Sequence, residues 1–411
     1  MPALQPVRGT RDIMAEEARR FRRVIECTRD IASRYGYEEV ATPIFEFSEV
    51  FERTLGETSD IVTKEMYKFE DRGGDKVTLR PEGTAGIARA VISGGLAQEA
   101  PLKFFYQGPM FRYERPQKGR LRQFHQIGVE LIGVAEPAGD VEAIAMGAGV
   151  LDALGLNGKY TVEINTLGNT ASRTAYREKL VAYLRDKPLS KESQERLERN
   201  PLRILDSKDE GDRAAIANAP LLPESLDEES KNFFAAVRGG LDALSIPYKV
   251  SPHLVRGLDY YCHTAFEFTT DTLGAQGTVL AGGRYDGLIA AMGGPQLPGI
   301  GWAAGIERLS MMIEAPAAPR PIAIVPIGAA AEAKALSLAG ELRGAGFAIE
   351  LGYRGNLKRR MARADKLNAR AAVILGDDEL AKGVATLRDF DSGDQKQIEF
   401  AQLAQQLQQF R

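Results

Sequence analysis

The 411-residue sequence has only two cysteines and three histidines, and it has no long hydrophobic run. Cys27 and Cys262 lie far apart, which argues against a disulfide framework or a CxxC zinc site and favours a reducing cytosol. His125, His253 and His263 do not have HExxH-type spacing, so we expect no zinc site. No apolar run reaches membrane-spanning length, and MPALQPVRGTRD lacks the apolar core of a signal peptide. These absences predict a cytoplasmic protein with no membrane partner.

Strong net charge is also missing. The formal net charge is -3, so no global basicity indicates a nucleic-acid partner, and any such partner must bind to local patches. With 44% hydrophobic and 27% charged residues, the composition is typical of globular proteins. The length allows two or three domains.

The most informative stretch is 103–133, KFFYQGPMFRYERPQKGRLRQFHQIGVELIG. It predicts two strands joined by a basic loop. Because side chains alternate along a strand, Gln126 and Glu130 share a polar face. If the two strands pair with their polar rows on the same side, Arg112 lies on that face as well. We expect Gly108 and Gly128 to leave room there for a ligand to approach the backbone. A solvated strand face is the ordinary interpretation, but charges of both signs beside a basic loop favour an anionic ligand.

Two further segments carry candidate residues. RPEGT predicts a strand-to-helix junction at Glu82, Gly83 and Thr84, where helix capping by Thr84 and binding of an ammonium group are both open. The stretch 253–268, HLVRGLDYYCHTAFEF, predicts a tight turn and then an aromatic strand. Strand alternation predicts that Tyr260 and Tyr261 point to opposite faces, either as core or as site residues.

Glycine-rich segments follow at 281–289, AGGRYDGLI, and 298–309, PGIGWAAGIERL. The first presents Tyr285 after a glycine turn. The second has the spacing GxGxxxG, not the GxGxxG dinucleotide fingerprint, and predicts a strand that leads into a helix. Arg308 on its first turns is either an exposed helix residue or a phosphate ligand.

The rest of the chain predicts the domain plan. A helix at 15–35 precedes a short strand at 37–42, and a charged, proline-broken segment at about 169–223 predicts a helical insertion. The alanine- and proline-rich EAPAAPRP contains a linker, which we place at 316–321. Alternating strands and helices at 322–411 predict an α/β domain with a mainly parallel sheet. Its helix at 357–366 is basic, which indicates a solvated face or an RNA patch.

These motifs resemble those of a known family. The stretch 103–133 resembles motif 2 of the class II aminoacyl-tRNA synthetases, and FRYERPQKGRLRQFHQIGVELIG is similar to its histidyl-tRNA synthetase version. The first helix and strand resemble motif 1, 298–309 resembles motif 3, and RGLDYY resembles a signature peculiar to the histidyl enzymes. The resemblance implies an α+β class II catalytic domain at 1–315, with an antiparallel sheet flanked by helices. It also implies a C-terminal α/β anticodon-binding domain at 322–411.

The resemblance also implies site residues. Those implied for catalysis are Arg112 and Arg256. Those implied for histidine are Glu82, Gly83, Thr84, Arg112, Gln126, Glu130, Arg256, Tyr260, Tyr261 and Tyr285. Those implied for ATP are Arg112, Glu114, Arg120, Phe124 and Arg308. Those implied for tRNA are Arg115, Gln117, Lys118, Arg122, Lys358, Arg359 and Arg360. No residue is assigned as a metal ligand, and Mg²⁺ is expected to accompany ATP.

The implied activity is that of a histidine–tRNA ligase. It forms histidyl-adenylate and pyrophosphate from L-histidine and ATP, then transfers histidine to the 3′ end of tRNA(His). The implied assembly is a homodimer. The alternative is a non-catalytic regulatory subunit of ATP phosphoribosyltransferase, a paralogue that departs from the catalytic motifs and lacks the C-terminal domain. Because RGLDYY, Arg112, Arg308 and the C-terminal domain are all present, the enzyme is favoured.

Overall fold

The computed structural model describes residues 3–56, 59, 61–117, 119–207, 209–255, 260–274 and 277–410. The chain divides into two compact units, Met1–Pro316 and Ala317–Arg411. Two predicted site residues, Lys118 and Arg256, lie outside the described residues.

The first unit contains a large sheet and a small one. Its strands are β1 (Glu38–Glu39), β2 (Phe45–Phe47), β3 (Tyr67–Glu70), β4 (Lys76–Leu79), β5 (Leu102–Phe111), β6 (Gln123–Ile132), β7 (Thr161–Thr166), β8 (Tyr248–Val250), β9 (Cys262–Thr269), β10 (Thr278–Arg284) and β11 (Gly299–Gly305). The large sheet has the order β1-β5-β6-β11-β10-β9-β7-β8, and the small one β2-β4-β3. Every pairing from β5 to β7 is antiparallel, and only the edge strands β1 and β8 pair in parallel. The predicted antiparallel sheet is confirmed, although the strand expected at 37–42 is only β1.

The register of β5 and β6 produces the predicted faces. Gln126 lies opposite Gly108 and Glu130 opposite Phe104, so the polar residues of β6 share a face with the even-numbered residues of β5. The odd-numbered residues of β6 turn to the other face. There Ile127 and Val129 are buried in the main hydrophobic core. One side of the hairpin therefore anchors the sheet and leaves the other for polar residues.

The two glycines of this hairpin do not leave room for a ligand, and that prediction is wrong. A Cβ atom at Gly128 would collide with the ring of Tyr106, and one at Gly108 would collide with the guanidinium of Arg80. Gly108 also has a φ of 151°, which a residue with a side chain rarely adopts. The space above both glycines is filled by the protein's own side chains, since Tyr106 reaches over Gly128 from the paired strand and Arg80 reaches over Gly108.

Helices cover the large sheet and form the insertion. They are α1 (Ala15–Arg34), α2 (Ser48–Leu55), α3 (Thr84–Ser93), α4 (Pro137–Ala153), α5 (Thr170–Leu184), α6 (Lys191–Arg199), α7 (Glu210–Ile216), α8 (Glu228–Ala243), α9 (Leu288–Ala291) and α10 (Ile306–Met312). Buried side chains of α1, including Phe21 and Val24, share one core with α4 and β6. The segment predicted as a helical insertion contains α5, α6 and α7. None of the helices among the described residues is both long and apolar enough to cross a membrane.

The second unit is built on a mixed sheet. Its strands are β12 (Ile322–Pro326), β13 (Ile349–Leu351), β14 (Ala371–Leu375), β15 (Val384–Asp389) and β16 (Gln395–Glu399), and its helices are α11 (Ala329–Gly344), α12 (Leu357–Lys366), α13 (Asp377–Ala381) and α14 (Phe400–Gln406). The order is β13-β12-β14-β15-β16. β13, β12 and β14 are parallel, as predicted, whereas β15 and β16 extend the sheet in the antiparallel sense. The sheet is therefore mixed, and not mainly parallel.

Candidate functional site

A cavity of about 300 Å³ lies on the polar face of the β5–β6 hairpin. Its walls come from the hairpin and its loop, from β9, β10 and β11, and from the first turns of α3 and α10. The predicted residues that line it are Glu82, Thr84, Arg112, Glu114, Arg120, Phe124, Gln126, Tyr260, Tyr261, Tyr285 and Arg308. The fold therefore brings together side chains that are up to 226 positions apart (308 − 82).

Three of these lining residues are arginines. Arg112 follows β5, donates from Nε to the Pro81 carbonyl at 2.9 Å and lies over the ring of Phe124, with 5.3 Å from Cζ to the centroid. Arg120, in the hairpin loop, pairs with Glu114 at 3.2 Å. Arg308, in the first turn of α10, donates from Nη1 to the Thr278 carbonyl at 2.6 Å. Their guanidinium groups present positive charge to a common space.

The electrostatics of Arg308 follow from this crowding. Burial lowers the pKa of Arg308, and the nearby charges of Arg120 and Arg112 lower it further, although Glu114 opposes them. A guanidinium whose pKa is lowered in this way still carries its charge at neutral pH, since its ordinary pKa is above 12. Like charges held together in a partly desolvated cavity are stabilised by an anionic ligand. The arrangement suits phosphate.

Glu130 lies beneath the cavity wall and is only 1% exposed. Its carboxylate accepts hydrogen bonds from the Thr84 hydroxyl at 2.6 Å and from the Tyr285 hydroxyl. Burial raises the pKa of Glu130 to about 8, against the opposing effect of these two bonds. The two hydroxyl donors fix the carboxylate, and a carboxylate has further lone pairs with which to accept a ligand N–H.

The segment that leads into α3 both caps this helix and contributes to the cavity wall. Glu82 accepts the backbone N–H groups of Thr84 at 2.7 Å and Ala85 at 2.8 Å, so Glu82 caps the helix. Thr84 is the first helical residue and not the N-cap, and its hydroxyl is directed to Glu130. Gly83 does not line the cavity, and a Cβ atom there would collide with Tyr106. Burial raises the pKa of Glu82.

Tyr260 and Tyr261 do not point to opposite faces, so that prediction is wrong. Both line the cavity, and their ring centroids are 4.5 Å apart. The physical reason is that β9 begins at Cys262, after the pair, so strand alternation does not apply to them. Tyr285 contacts Tyr260 edge-on at 5.8 Å, which makes one aromatic wall.

Gln126 supplies an unsatisfied acceptor. Its Oε1 atom is buried and has no hydrogen-bond partner among the described residues. A buried polar atom without a partner is costly, so it indicates a ligand or water that donates to it. Its place in the cavity wall fits an ammonium or amide N–H group.

Sequence reasoning missed several residues of this cavity. Trp302, Glu307, Glu267 and Thr278 line it, and the first two lie inside the glycine-rich segment PGIGWAAGIERL. Trp302 lies opposite Val129 of β6 and donates from its indole N–H to the Ala143 carbonyl, so its ring belongs to the hydrophobic core on the other face of the sheet. Gly301 must lack a side chain because the Glu130 carboxylate occupies the space where its Cβ atom would be.

The residues predicted to bind tRNA differ in their exposure to solvent. Arg115 and Gln117 are exposed in the hairpin loop, whereas Arg122 stacks over the ring of Tyr113, with 3.9 Å from Cζ to the centroid. In the second unit, Lys358 and Arg359 are exposed on α12.

Arg360 is only 6% exposed, so its assignment to an RNA surface is wrong. It donates to the Pro326 carbonyl and pairs with Glu332 at 2.5 Å. Its contacts hold α12 against β12 and α11. The basic side chain is therefore a packing residue of the second unit.

Known proteins resemble the chain along its whole length. The sequence model of the family described as Histidyl-tRNA synthetase matches residues 9–309, and that described as Anticodon binding domain matches residues 321–410. A histidine–tRNA ligase of Rhodospirillum rubrum is 61% identical over 415 residues, all of both chains.

Two solved structures extend these similarities. The apo histidyl-tRNA synthetase of S. aureus is 35% identical, with a TM-score of 0.83 over 98% of this chain and 99% of that one. A Bacillus halodurans structure titled ATP phosphoribosyltransferase regulatory subunit/histidyl-tRNA synthetase has a TM-score of 0.67 over 92% and 99%, at 23% identity. At that identity the likeness concerns the fold alone.

Proposed function

The chain belongs to the histidyl-tRNA synthetase family, and we propose that its cavity carries out the two-step reaction of a histidine–tRNA ligase. The observation that carries the proposal is the convergence of Arg112, Arg120 and Arg308 on a cavity whose other wall holds Gln126 and the aromatic residues. The arginines suit the phosphates of ATP, and the opposite wall suits an amino acid with polar nitrogen atoms.

In the first step, a carboxylate oxygen of histidine bonds to the α-phosphorus of ATP. The bond from that phosphorus to the bridging oxygen breaks, and pyrophosphate leaves. Two anions must approach while charge develops on phosphorus, and fixed guanidinium groups stabilise that arrangement without a covalent enzyme intermediate. Arg112 would hold the α-phosphate and the substrate carboxylate. Arg256 is assigned beside them by the resemblance, and this assignment stays a prediction.

In the second step, a terminal ribose hydroxyl of the tRNA bonds to the carbonyl carbon of the adenylate, and AMP leaves. The hydroxyl proton passes to a phosphate oxygen of the leaving AMP, so the step balances. Because the adenylate is already activated, the protein's main task is to position the two reactants.

For ATP, we assign Arg120 and Arg308 to the outer phosphates. Phe124 would stack on adenine, which fits its place against Arg112 in the cavity wall. Glu114 would face the adenine amino group. The planar guanidinium of arginine can form two parallel hydrogen bonds to a phosphate, which lysine cannot do.

Mg²⁺ would enter with ATP. No group of three or more metal-ligating side chains is present among the described residues. This fits Mg²⁺, which keeps several waters and is bound by one or two carboxylates together with substrate phosphates. Glu267 lines the cavity and is the carboxylate that we assign to it. Bound there, Mg²⁺ would neutralise phosphate charge.

For histidine, we assign Glu130 and Tyr261 to the two imidazole nitrogens. The unsatisfied Oε1 atom of Gln126 supports a role toward the α-ammonium group, with Glu82 and Thr84 beside it. Tyr260 and Tyr285 would form the aromatic wall. A site with such polar partners rejects analogues that lack the imidazole nitrogens by about 10⁴-fold or more. The chain therefore needs no separate editing site.

For tRNA, the exposed loop residues Arg115 and Gln117 and the half-buried Arg122 are proposed to contact the acceptor end, and Lys118 is assigned with them by resemblance. The second unit matches the anticodon-binding family, and exposed Lys358 and Arg359 would contact the RNA backbone there. Both cysteines are free thiols, which is consistent with the cytoplasmic location that we include in the proposal.

We also propose that the chain forms a homodimer. In the small sheet, Phe45 and Phe47 are 54% and 59% exposed, and Phe69 lies on the same face. Exposed apolar side chains concentrated on one surface mark interaction sites. Phe47→Glu should give a monomer in analytical ultracentrifugation, whereas Tyr353→Glu, a matched exposed aromatic, should leave the dimer intact.

The second candidate function is that of a regulatory subunit of ATP phosphoribosyltransferase. It is less supported, because the Bacillus halodurans structure whose title names it is similar in fold alone, whereas the full-length similarity is to a histidine–tRNA ligase.

The test is ATP–pyrophosphate exchange by the purified protein without tRNA. We expect exchange with histidine and none with other amino acids. Absence of exchange from a folded dimer would reject the proposed reaction and favour the regulatory subunit.

A further inference from the structure

We infer that His125 and Glu307 form a positioning pair that holds two ATP-contacting residues, Phe124 and Arg308, in a fixed relation to each other. The inference rests on the proposed function of the cavity. Phe124 precedes His125 on β6, and Arg308 follows Glu307 on α10. The pair thus joins the two structural elements that carry these neighbours.

Three donor contacts define the pair. The backbone N–H of His125 lies 3.0 and 2.9 Å from the two carboxylate oxygens of Glu307, and the ring Nδ1 lies 2.9 Å from Oε1. A carboxylate only accepts hydrogen bonds, so Nδ1 must carry the proton in this contact. The ring of Phe21 from α1 contacts the His125 ring edge-on at 5.4 Å, which restricts the orientation of the imidazole.

The contacts occur where the strand pairing ends. The ladder between β6 and β11 closes at Gln126 and Gly305, and α10 begins at the next residue. Beyond this point no backbone pairing between β6 and β11 fixes α10. Because successive residues of a helix point about 100° apart, holding Glu307 fixes the direction in which Arg308 leaves the helix.

The negative charge of Glu307 is a second reason why its side chain must be held in place. Its side chain is only 7% exposed and lines the cavity that we assign to ATP. A carboxylate that swung toward the phosphates would repel them, and the same carboxylate without donors would be costly to bury. The imidazole and the backbone N–H keep its negative charge at the edge of the site.

The test uses substitutions that separate the Nδ1 contact from the size of the ring. His125→Asn places an amide N–H close to the position of Nδ1, whereas His125→Gln carries its amide farther out, and His125→Ala has no donor. The readout is ATP binding measured by isothermal titration calorimetry. This measurement does not depend on activity.

We expect His125→Ala and His125→Gln to weaken ATP binding about 10-fold or more, as small displacements of positioning residues do. Histidine binding should be unchanged, and His125→Asn should restore most of the ATP affinity. In steady-state exchange, the loss should appear in KM for ATP and in kcat, but not in KM for histidine.

A purely structural role would lower thermal stability without this selectivity. Tyr176→Phe is the control, because it removes a hydrogen bond to the Pro220 carbonyl in the insertion; it should leave ATP binding unchanged. The inference is overturned if folded His125→Gln binds ATP as the wild type does, or if His125→Asn binds it no better than His125→Gln. If the wild type binds ATP but shows no histidine-dependent exchange, the proposed function fails while the pair's role in ATP binding still holds.

Discussion

Two groups of arginines in this chain differ in what holds them. In the cavity, Arg112 and Arg308 donate to the main-chain carbonyls of Pro81 and Thr278, which are neutral. On α12, Arg360 and Arg363 pair with the carboxylates of Glu332 and Glu350. A carbonyl orients a guanidinium and leaves its charge available to a ligand, whereas a carboxylate neutralises it. Arg120 lies between the two groups, because it lines the cavity and also pairs with the carboxylate of Glu114.

Replacing an arginine held by a carbonyl gives the largest expected effect on activity. Arg308→Ala should lower histidine-dependent ATP–pyrophosphate exchange about 10²-fold or more, because a fixed donor to the developing charge is lost. The thermal unfolding midpoint should change little. Arg363→Ala, which removes a guanidinium paired with Glu350, is the matched control and should leave exchange at the wild-type rate. Equal losses in both variants would break the comparison.

Replacing an arginine held by carboxylates should instead affect stability. Arg284 is fully buried beside Asp140, with 3.0 Å from Nε to Oδ2, and it also pairs with Asp286. Arg284→Ala leaves an uncompensated buried carboxylate, which costs about 3–5 kcal/mol of unfolding free energy. Chemical denaturation monitored by circular dichroism measures this loss. An unchanged midpoint would show that the Asp140 pair is not a stabilising element.

Glu130 extends the comparison to a carboxylate held by neutral hydroxyls. Its pKa is raised to about 8 by burial, from an ordinary value near 4.5. The folded state therefore binds this proton more tightly than the unfolded state does. The corresponding stability is fully present below about pH 4.5 and is lost as the pH rises through about 8.

The measurement compares the wild type with Glu130→Gln, which cannot titrate. Between pH 5 and pH 8.5, the unfolding free energy of the wild type should fall relative to that of the variant. The difference removes the contributions of groups that titrate in the same way in both proteins. Parallel curves would mean that Glu130 is already ionised in the folded protein at the lower pH.

These comparisons show which features local sequence could predict. Alternation in β6 predicted that Gln126 and Glu130 share a face, and the glycine-rich PGIGWAAGIERL predicted that Arg308 lies on the first turns of a helix. Both depend on periodicity within one element. Tyr260 and Tyr261 were placed wrongly because β9 begins one residue after them.

Other predictions were wrong because the residue contacts partners that are distant in the sequence. Arg360 is buried because Pro326 and Glu332, about thirty positions away, accept its hydrogen bonds, and the space above Gly128 is filled by Tyr106 from the paired strand. Strands β15 and β16 were not predicted. Such features depend on tertiary packing, which one segment's pattern does not contain.

The smallest expected effect concerns the exposed basic residues of α12. Lys358 and Arg359 are exposed, so they remain available to RNA, whereas Arg360 and Arg363 on the same helix are paired. Replacing both Lys358 and Arg359 with alanine should weaken tRNA binding several-fold and reduce the salt dependence of log K by about 1 per lost phosphate contact. Exchange without tRNA should be unchanged, because that reaction uses only the first unit. Filter binding between 50 and 200 mM salt, about the range over which such contacts are sensitive, measures the slope. If Arg363→Ala reduced the salt dependence of tRNA binding by the same amount, a carboxylate partner would not prevent an arginine from contacting RNA.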